Sequence, residues 1–256
     1  MDDSLQVEHL SASWKKTPVL RDVSLSVSKG EFVCLCGPNG SGKSTLLSVI
    51  AGIHAEIAAE KESVPFAYLS PKERARIISY MQQTEFSAWN HTVRELVLTG
   101  RFAHTHFSGF YTKNDYMVTD EIIKRIQIEN LAEKRVHEIS GGEFQKARIA
   151  RCLAQETPFM LLDEPAANLD FSCQEQILSL LKSAAKERNA GILISIHDIN
   201  TAARFADKIV LLPKLEPCIS GTPQEIMTDK TLSAVYKAHI QICTHPVHGS
   251  PMAVFL

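Results

Sequence analysis

The chain has 256 residues, of which 45% are hydrophobic, and its 27 Lys and Arg against 29 Asp and Glu give a formal net charge of −2 at pH 7. This composition can fill a core, which excludes a disordered chain, and the near balance of charge argues against nucleic acid as a partner. Its longest apolar runs are far shorter than the ~20 residues that span a bilayer, so we predict no transmembrane segment.

The first four residues include two aspartates and lack the basic and apolar regions of a secretory signal. We therefore expect the protein to stay in the cytosol, with its six cysteines reduced. Cys34 and Cys36 lie within an apolar run and are expected to be small core residues.

Two kinds of apolar pattern predict the strands. Near the start, Leu5 and Val7, and later Val23, Leu25 and Val27, recur at every second position, which is typical of half-exposed antiparallel strands. Short continuous apolar runs further on predict strands that are covered on both faces. These runs are residues 32–36, 159–162, 192–196 and 209–212.

Helical patterns separate the buried runs, at residues 44–50, 142–154 and 173–188. The alternation predicts an α/β sheet core. Residues 84–139 differ in texture, because they are rich in His, Phe and Tyr and show helical periodicity at Val118, Ile122 and Ile126. We expect one domain, in which residues 1–83 and 140–256 form the core with an antiparallel β-subdomain and residues 84–139 form a helical subdomain.

A glycine-rich segment after the first buried run fits the P-loop pattern G-x-x-x-x-G-K-[ST]. Its glycines let backbone N–H groups turn around phosphate oxygens, and the helix that follows adds its positive end. Lys43 supplies charge for the β- and γ-phosphates, and the Ser44 hydroxyl is suited to Mg²⁺. The predicted ATP-binding residues here are Gly37, Pro38, Asn39, Gly40, Ser41, Gly42, Lys43, Ser44 and Thr45.

Two acidic residues end the buried run 159–162. Asp163 can orient the ligands of Mg²⁺, and Glu164 can face the water that attacks the γ-phosphate. By itself such a pair is also typical of a strand that simply ends at the surface. The P-loop in the same chain favours the catalytic interpretation.

The segment Ile139-Ser140-Gly141-Gly142-Glu143 resembles the signature motif of ATP-binding-cassette (ABC) ATPases, and the resemblance covers nearly the whole chain. The usual motif reads L-S-G-G-Q, so Ile139 and Glu143 depart from it. The resemblance implies an ABC-type P-loop NTPase fold, with ATP and Mg²⁺ as cofactors. The motif stands at the start of the helix predicted over residues 142–154. That helix start is expected to be a second phosphate-binding surface, which acts across a dimer.

The resemblance also implies roles for residues outside these motifs. Gln83 aligns with a Mg²⁺-contacting glutamine, although a shift of one residue would put Gln82 there. Asp170 ends a segment that crosses the dimer interface in this family, and His197 corresponds to a histidine that contacts the γ-phosphate. Trp14 stands where an aromatic stacks on adenine, or alternatively covers the β-subdomain core.

Length and local motifs favour the separate ATPase subunit of a membrane importer. The segments at residues 69–76, 92–101, 221–226 and 245–251 resemble the iron–siderophore, haem and cobalamin group, with zinc and manganese importers as the nearest alternative. Such a subunit works as a homodimer at the cytoplasmic face of the membrane, with a permease and, indirectly, an extracytoplasmic substrate-binding protein. The runner-up from another class is a cytosolic ABC assembly ATPase.

Two aromatic residues, Phe86 and Trp89, follow Gln83, which the resemblance also makes the glutamine that couples the site to a partner subunit. In similar importers this side of the helical insertion forms a groove for a short cytoplasmic helix of the permease, and aromatic anchors suit a groove of that kind. Alternatively, the two side chains join the insertion to the core.

Overall fold

The computed structural model describes residues 3–53, 57–59, 63–85, 90–105, 109–167 and 169–256. At its centre is a six-stranded sheet in the order β5-β6-β7-β3-β8-β9. The five strands from β5 to β8 are parallel and β9 is antiparallel. The strands are β3 (Phe32–Cys36), β5 (Ile78–Met81), β6 (Phe159–Leu162), β7 (Gly191–Ser195), β8 (Lys208–Leu211) and β9 (Ile219–Gly221).

The central strands are covered on both faces, as their continuous apolar runs predict. In β3 the side chains of Phe32, Cys34 and Cys36 enter one core cluster, and those of Val33 and Leu35 enter a second cluster on the opposite face. The first cluster contains the helices of the insertion. The second lies between the central sheet and a smaller antiparallel sheet.

The smaller sheet has the order β2-β1-β4, with β1 (Ser4–Trp14), β2 (Thr17–Ser28) and β4 (Ile57–Ala59). Leu5 and Val7 of β1 are buried opposite Val27 and Leu25 of β2. The antiparallel strands predicted from the period of two are therefore confirmed. Their apolar side chains pack on α1 (Lys43–Ala51), the helix that follows β3.

The two long helices of the core begin earlier than the apolar periodicity indicates. The Asp170 carboxylate accepts a hydrogen bond from the Cys173 N–H at 2.8 Å, so α6 (Phe171–Glu187) starts at Phe171 rather than at residue 173. Similarly, Ser140 caps α5 (Gly141–Ala154). A capping side chain satisfies the free N–H groups of the first turn, so that turn is stable without apolar side chains of its own.

Within residues 84–139 the described part contains two α-helices, α3 (Val93–Leu98) and α4 (Lys113–Arg125), and no strand longer than an isolated bridge. A 3₁₀ turn at Thr99–His104 follows α3, and two more, at Glu129–Leu131 and Val136–Glu138, follow α4. Ile122 and Ile126 are buried, in keeping with their helical spacing. The subdomain boundaries at 84 and 139 stay a prediction.

A buried arginine joins this segment to α5. Arg101 donates from Nε to Asp115 at 3.0 Å, and from Nη1 to the Ala154 carbonyl and to Glu156, each at 2.7 Å. The side chains of Arg101 and Asp115 are each only 4% exposed. At the neighbouring Gly100, a Cβ would lie 2.3 Å from the Arg151 carbonyl oxygen. Close backbone approach and a buried ion pair therefore fix the insertion on the core.

The chain ends in shorter elements. These are α7 (Ile199–Phe205), α8 (Pro223–Ile226), α9 (Asp229–Tyr236) and a hairpin of β10 (Ile240–Thr244) and β11 (Pro251–Phe255). Earlier in the chain, the short helix α2 (Pro71–Arg74) precedes β5. In the part of the chain that the structure describes, no helix has the length and hydropathy that a bilayer crossing requires.

Arg101→Met should destabilise the fold strongly, because it leaves the Asp115 carboxylate buried without its cation. Removal of one partner of a buried ion pair lowers the free energy of unfolding by about 3–5 kcal/mol. The measurement is the free energy of unfolding in urea. Arg125→Met is the matched control, since Arg125 pairs with a largely exposed Glu187 and such surface pairs contribute about 0–1 kcal/mol. Equal losses in both variants would contradict the role given to Arg101.

Candidate nucleotide site

The P-loop lies between the end of β3 and the start of α1, and two of its glycines are required by the backbone. Gly42 immediately precedes α1 with φ 102°, a left-handed conformation that side chains other than glycine seldom adopt. At Gly37 a Cβ would lie 2.4 Å from the Leu212 carbonyl oxygen. The loop can therefore follow this path only with glycine at both positions.

The Lys43 side chain curls back over this loop. Its Nζ donates to the carbonyl oxygens of Gly37 at 2.9 Å and Pro38 at 3.2 Å, and the residue is 6% exposed. Burial lowers the pKa of Lys43, and the nearby Glu164 carboxylate acts in the opposite direction. The ammonium group is thus held in the position from which it can meet a phosphate.

Asp163 follows β6 and is 1% exposed. Its N–H donates to the Met81 carbonyl at 2.9 Å, which extends the pairing of β6 with β5. Its Oδ1 accepts a hydrogen bond from the Ser195 hydroxyl at 2.6 Å. The other oxygen, Oδ2, is buried and has no hydrogen-bond partner among the described residues. A buried carboxylate oxygen without a partner fits a Mg²⁺ site, because hard cations prefer such oxygens or the waters that they orient.

Glu164 has a backbone φ of 50°, which is uncommon outside glycine. Two side chains from other elements hold this conformation. The Glu164 N–H donates to Ser195 Oγ at 2.8 Å, and the Glu164 carbonyl accepts from Gln145 Nε2 at 3.3 Å. The Glu164 carboxylate, 10% exposed, contacts Nε2 of the half-exposed His197.

Of these groups, Lys43, Glu164 and His197 border one open pocket of about 470 Å³, whereas Asp163 is not among the residues that line it. Apart from Val19 of β2, its lining consists of residues that the sequence assigns to ATP binding, metal binding or catalysis. They are Asn39, Gly40, Gly42, Lys43, Ser44, Thr45, Gln83, Glu164 and His197. A pocket bordered by backbone N–H groups, a lysine, a carboxylate and an imidazole is suited to holding and cleaving a polyphosphate.

Other predicted residues do not line this pocket. Gly37 and Ser41 are buried within the P-loop, and Ser41 Oγ has no hydrogen-bond partner among the described residues. Pro38 is half-buried in the same loop. Trp14 lies at the end of β1 with 41% exposure, so its stacking on adenine stays a prediction.

The residues predicted to bind ATP across a dimer lie at helix starts and do not line the pocket of their own chain. They are Ser140, Gly141, Gly142 and Asp170. Ser140 closes a capping box: its N–H and hydroxyl each donate to the Glu143 carboxylate at 2.8 Å. These bonds hold the pKa of Glu143 below its usual range. A Cβ on Gly142 would lie 3.3 Å from the Leu169 side chain, so the signature helix adjoins the segment that ends at Asp170. Asn168, within that segment, lies outside the described residues.

The structure adds a buried network that the sequence analysis missed. Arg148, 3% exposed, donates to Glu85 at 3.2 Å and to the Gln145 side chain at 2.8 Å, and also to the Gln82 carbonyl. Gln145 in turn donates to the Pro165 carbonyl at 2.9 Å. The backbone of Gln82 is thus tied to α5, while Gln83 borders the pocket.

Comparison with known proteins agrees with this geometry. The profile of the ABC transporter family matches residues 20–167. The chain belongs to this family. It is 33% identical over 254 residues to the ferric enterobactin transport ATP-binding protein of Escherichia coli strain K12, covering 98% of this chain and 93% of that protein.

Solved structures share the fold. A chain described as an inward-facing metal-chelate type ABC transporter superposes with a TM-score of 0.82 at 27% identity, covering 100% of this chain and 97% of the other. A dimeric bacterial ABC transporter cassette superposes with a TM-score of 0.71 at 27% identity, covering 85% and 97%. The α/β P-loop NTPase fold predicted from the motifs is confirmed, and the chain is an ATP-binding ABC ATPase.

Lys43→Ala should weaken ATP binding by roughly 10- to 100-fold, because hydrogen bonds to charged groups contribute about 1.5–3 kcal/mol. The measurement is the dissociation constant of a fluorescent ATP analogue, taken with the melting temperature to confirm folding. Lys230→Ala, at an exposed lysine of α9, is the control. Unchanged affinity in Lys43→Ala would contradict the phosphate-binding role.

Proposed function

We propose that this chain is the ATP-hydrolysing subunit of a membrane importer for a metal chelate of the iron–siderophore, haem or cobalamin kind. The observation that carries the ATPase part is the meeting of Lys43, Glu164 and His197 around one pocket at the end of the P-loop. The cargo part rests on the resemblance to the ferric enterobactin and metal-chelate proteins. Because both concern iron or metal chelates, the zinc and manganese alternative is not favoured.

In this proposal the P-loop binds the phosphates of ATP through its backbone N–H groups and the start of α1. When ATP binds, Lys43 Nζ gives up its hydrogen bonds to the carbonyl oxygens of Gly37 and Pro38 and donates to the β- and γ-phosphates instead. Ser44, Gln83 and Asp163 would hold Mg²⁺, which neutralises phosphate charge when it is bound. The unpartnered Oδ2 of Asp163 supports its place in this set.

Glu164 orients the attacking water and accepts its proton, and His197 contacts the γ-phosphate. The contact between the two side chains supports this pairing, because it places an imidazole beside the carboxylate at the mouth of the pocket. Anchoring of the Glu164 backbone by Ser195 and Gln145 limits its movement during the reaction. A fixed base of this kind contributes more than a mobile one.

The second half of each site comes from another copy of the chain. Ser140, Gly141, Gly142 and Asp170 do not line the pocket of their own chain, and a helix start with two glycines offers N–H groups to phosphate. We therefore infer a homodimer that closes on ATP and reopens after hydrolysis. The dimeric form of a related cassette supports this arrangement.

The partners follow from the importer assignment. They are a transmembrane permease and, indirectly, an extracytoplasmic substrate-binding protein, with this subunit peripheral at the cytoplasmic face. Phe86 and Trp89, the predicted anchors for a permease helix, lie outside the described residues. Their replacement by Ala or Ser, followed by tests of folding and of co-purification with the permease, separates an importer subunit from a cytosolic assembly ATPase.

Glu164→Gln should keep ATP binding and lose roughly 10²- to 10⁴-fold in turnover, the usual effect of removing a general base. It should also accumulate as an ATP-bound dimer, measured by light scattering after size exclusion. Glu187→Gln, at the far end of α6, is the control for the loss of one surface carboxylate. Turnover at the wild-type rate would show that Glu164 is not the base.

ATPase activity per molecule should rise steeply with protein concentration, because each site borrows part of its phosphate contacts from a second copy. Turnover measured across a dilution series, alongside the monomer fraction, checks this. Full activity in a sample shown to be monomeric would contradict the shared site.

Cells that carry Glu164→Gln in place of the native chain should lose uptake of ⁵⁵Fe supplied as a ferric siderophore, haem or both, while ⁶⁵Zn uptake is retained. Lost zinc uptake with normal iron uptake would overturn the cargo assignment. Normal uptake of iron chelates, haem, cobalamin, zinc and manganese would overturn the importer assignment.

A further inference from the structure

A single serine hydroxyl touches both acidic residues of the site. Ser195 ends the buried strand β7, where it is the only residue with a polar side chain, and it is 0% exposed. Its Oγ donates to Asp163 Oδ1 at 2.6 Å and accepts the Glu164 N–H at 2.8 Å. One oxygen from β7 therefore joins two consecutive residues that follow β6.

The direction of these bonds is fixed by chemistry. A backbone N–H can only donate, so the Ser195 oxygen accepts from Glu164, and its single proton is free to point at Asp163. The bond orients the Asp163 carboxylate and leaves Oδ2 as the oxygen without a partner in the described chain. The other bond holds the Glu164 backbone at its left-handed φ of 50°.

We propose that Ser195 is a positioning residue for ATP hydrolysis, which sets the orientation of Asp163 and Glu164 together. This rests on the proposed roles of those two residues. A buried serine does not require such partners: Ser79, 0% exposed in β5 on the other side of β6, has no hydrogen-bond partner for its hydroxyl among the described residues. Ser195 differs because both of its bonds end on the acidic pair.

Ser79 supplies a matched control, since Ser79→Ala removes the same hydroxyl from the same sheet without touching the acidic pair. Ser195→Ala should lower kcat by about 10- to 100-fold, the effect of a small misplacement of reacting groups, with KM for ATP close to that of the wild type. Ser195→Thr, which keeps the hydroxyl, should restore most of kcat. Ser79→Ala should behave like the wild type.

A binding measurement separates positioning from a general loss of structure. The affinity for the fluorescent analogue TNP-ATP is measured in EDTA and again with Mg²⁺. In Ser195→Ala the gain in affinity on adding Mg²⁺ should fall several-fold, while the affinity in EDTA and the melting temperature stay near those of Ser79→Ala. A fall in EDTA affinity and in melting temperature, with the Mg²⁺ gain unchanged, would mean that Ser195 is only structural.

The outcomes also distinguish this inference from the proposed function. If Asp163→Asn and Glu164→Gln both keep wild-type kcat, the proposed function is wrong. If both lose activity while Ser195→Ala keeps its kcat and its Mg²⁺ gain, the positioning role alone is wrong. Should Ser195→Ala fail to fold, Ser195→Cys keeps the volume with a weaker donor, and its kcat and Mg²⁺ gain decide the question in the same way.

Discussion

The site depends on three parallel strands that lie side by side, β6, β7 and β3. Because they run in the same direction, their carboxyl ends meet at one edge of the sheet. The P-loop leaves β3 at this edge, the acidic pair leaves β6, and Ser195 and His197 lie at and after the end of β7. Ser195 and Asp163 come within hydrogen-bond distance because β7 lies beside β6, and strand order also brings Lys43 and His197, more than 150 positions apart in the sequence, to one pocket. Both faces of β3 are packed into core clusters, which fixes the position of the strand end from which the P-loop begins.

Buried charge is treated differently in the scaffold and in the site. Arg101 and Arg148 are both 3% exposed, and each donates to carboxylate and carbonyl oxygens that compensate the loss of water. Near the P-loop the compensation is incomplete. Asp163 Oδ2 and Ser41 Oγ have no partner among the described residues, and burial lowers the pKa of Lys43. Incomplete pairing of a charged group costs stability, so the unpartnered carboxylate oxygen of Asp163 and the lowered pKa of Lys43 together indicate a ligand-binding site beside the P-loop.

Most of the core fold could be predicted from periodicity, because strands covered on both faces are continuous apolar runs and the P-loop has a defined sequence. Apolar periodicity predicts the starts of helices less accurately. The first turns of α5 and α6 are capped by the side chains of Ser140 and Asp170, which do not belong to the apolar pattern. The bond from Arg148 to Glu85 spans 63 residues and leaves no local pattern. Ser195 does leave one, as a hydroxyl inside the apolar run 192–196, but its partners depend on the pairing of β6 with β7, which that run does not encode.

The departure of Glu143 from the usual signature glutamine has a physical consequence for the proposed dimer. Glu143 completes a capping box with Ser140, so the start of α5 is ordered within the single chain. A carboxylate at a helix N-terminus also favours the helix by about 0.3–1 kcal/mol. The same charge opposes the approach of an ATP phosphate from the other copy, and the Ser140 hydroxyl already donates to it. To bind that phosphate, Ser140 must turn its proton away from Glu143. In the proposed dimer the capping box therefore competes with the phosphate for the Ser140 proton, and ATP must supply enough binding energy to displace that bond.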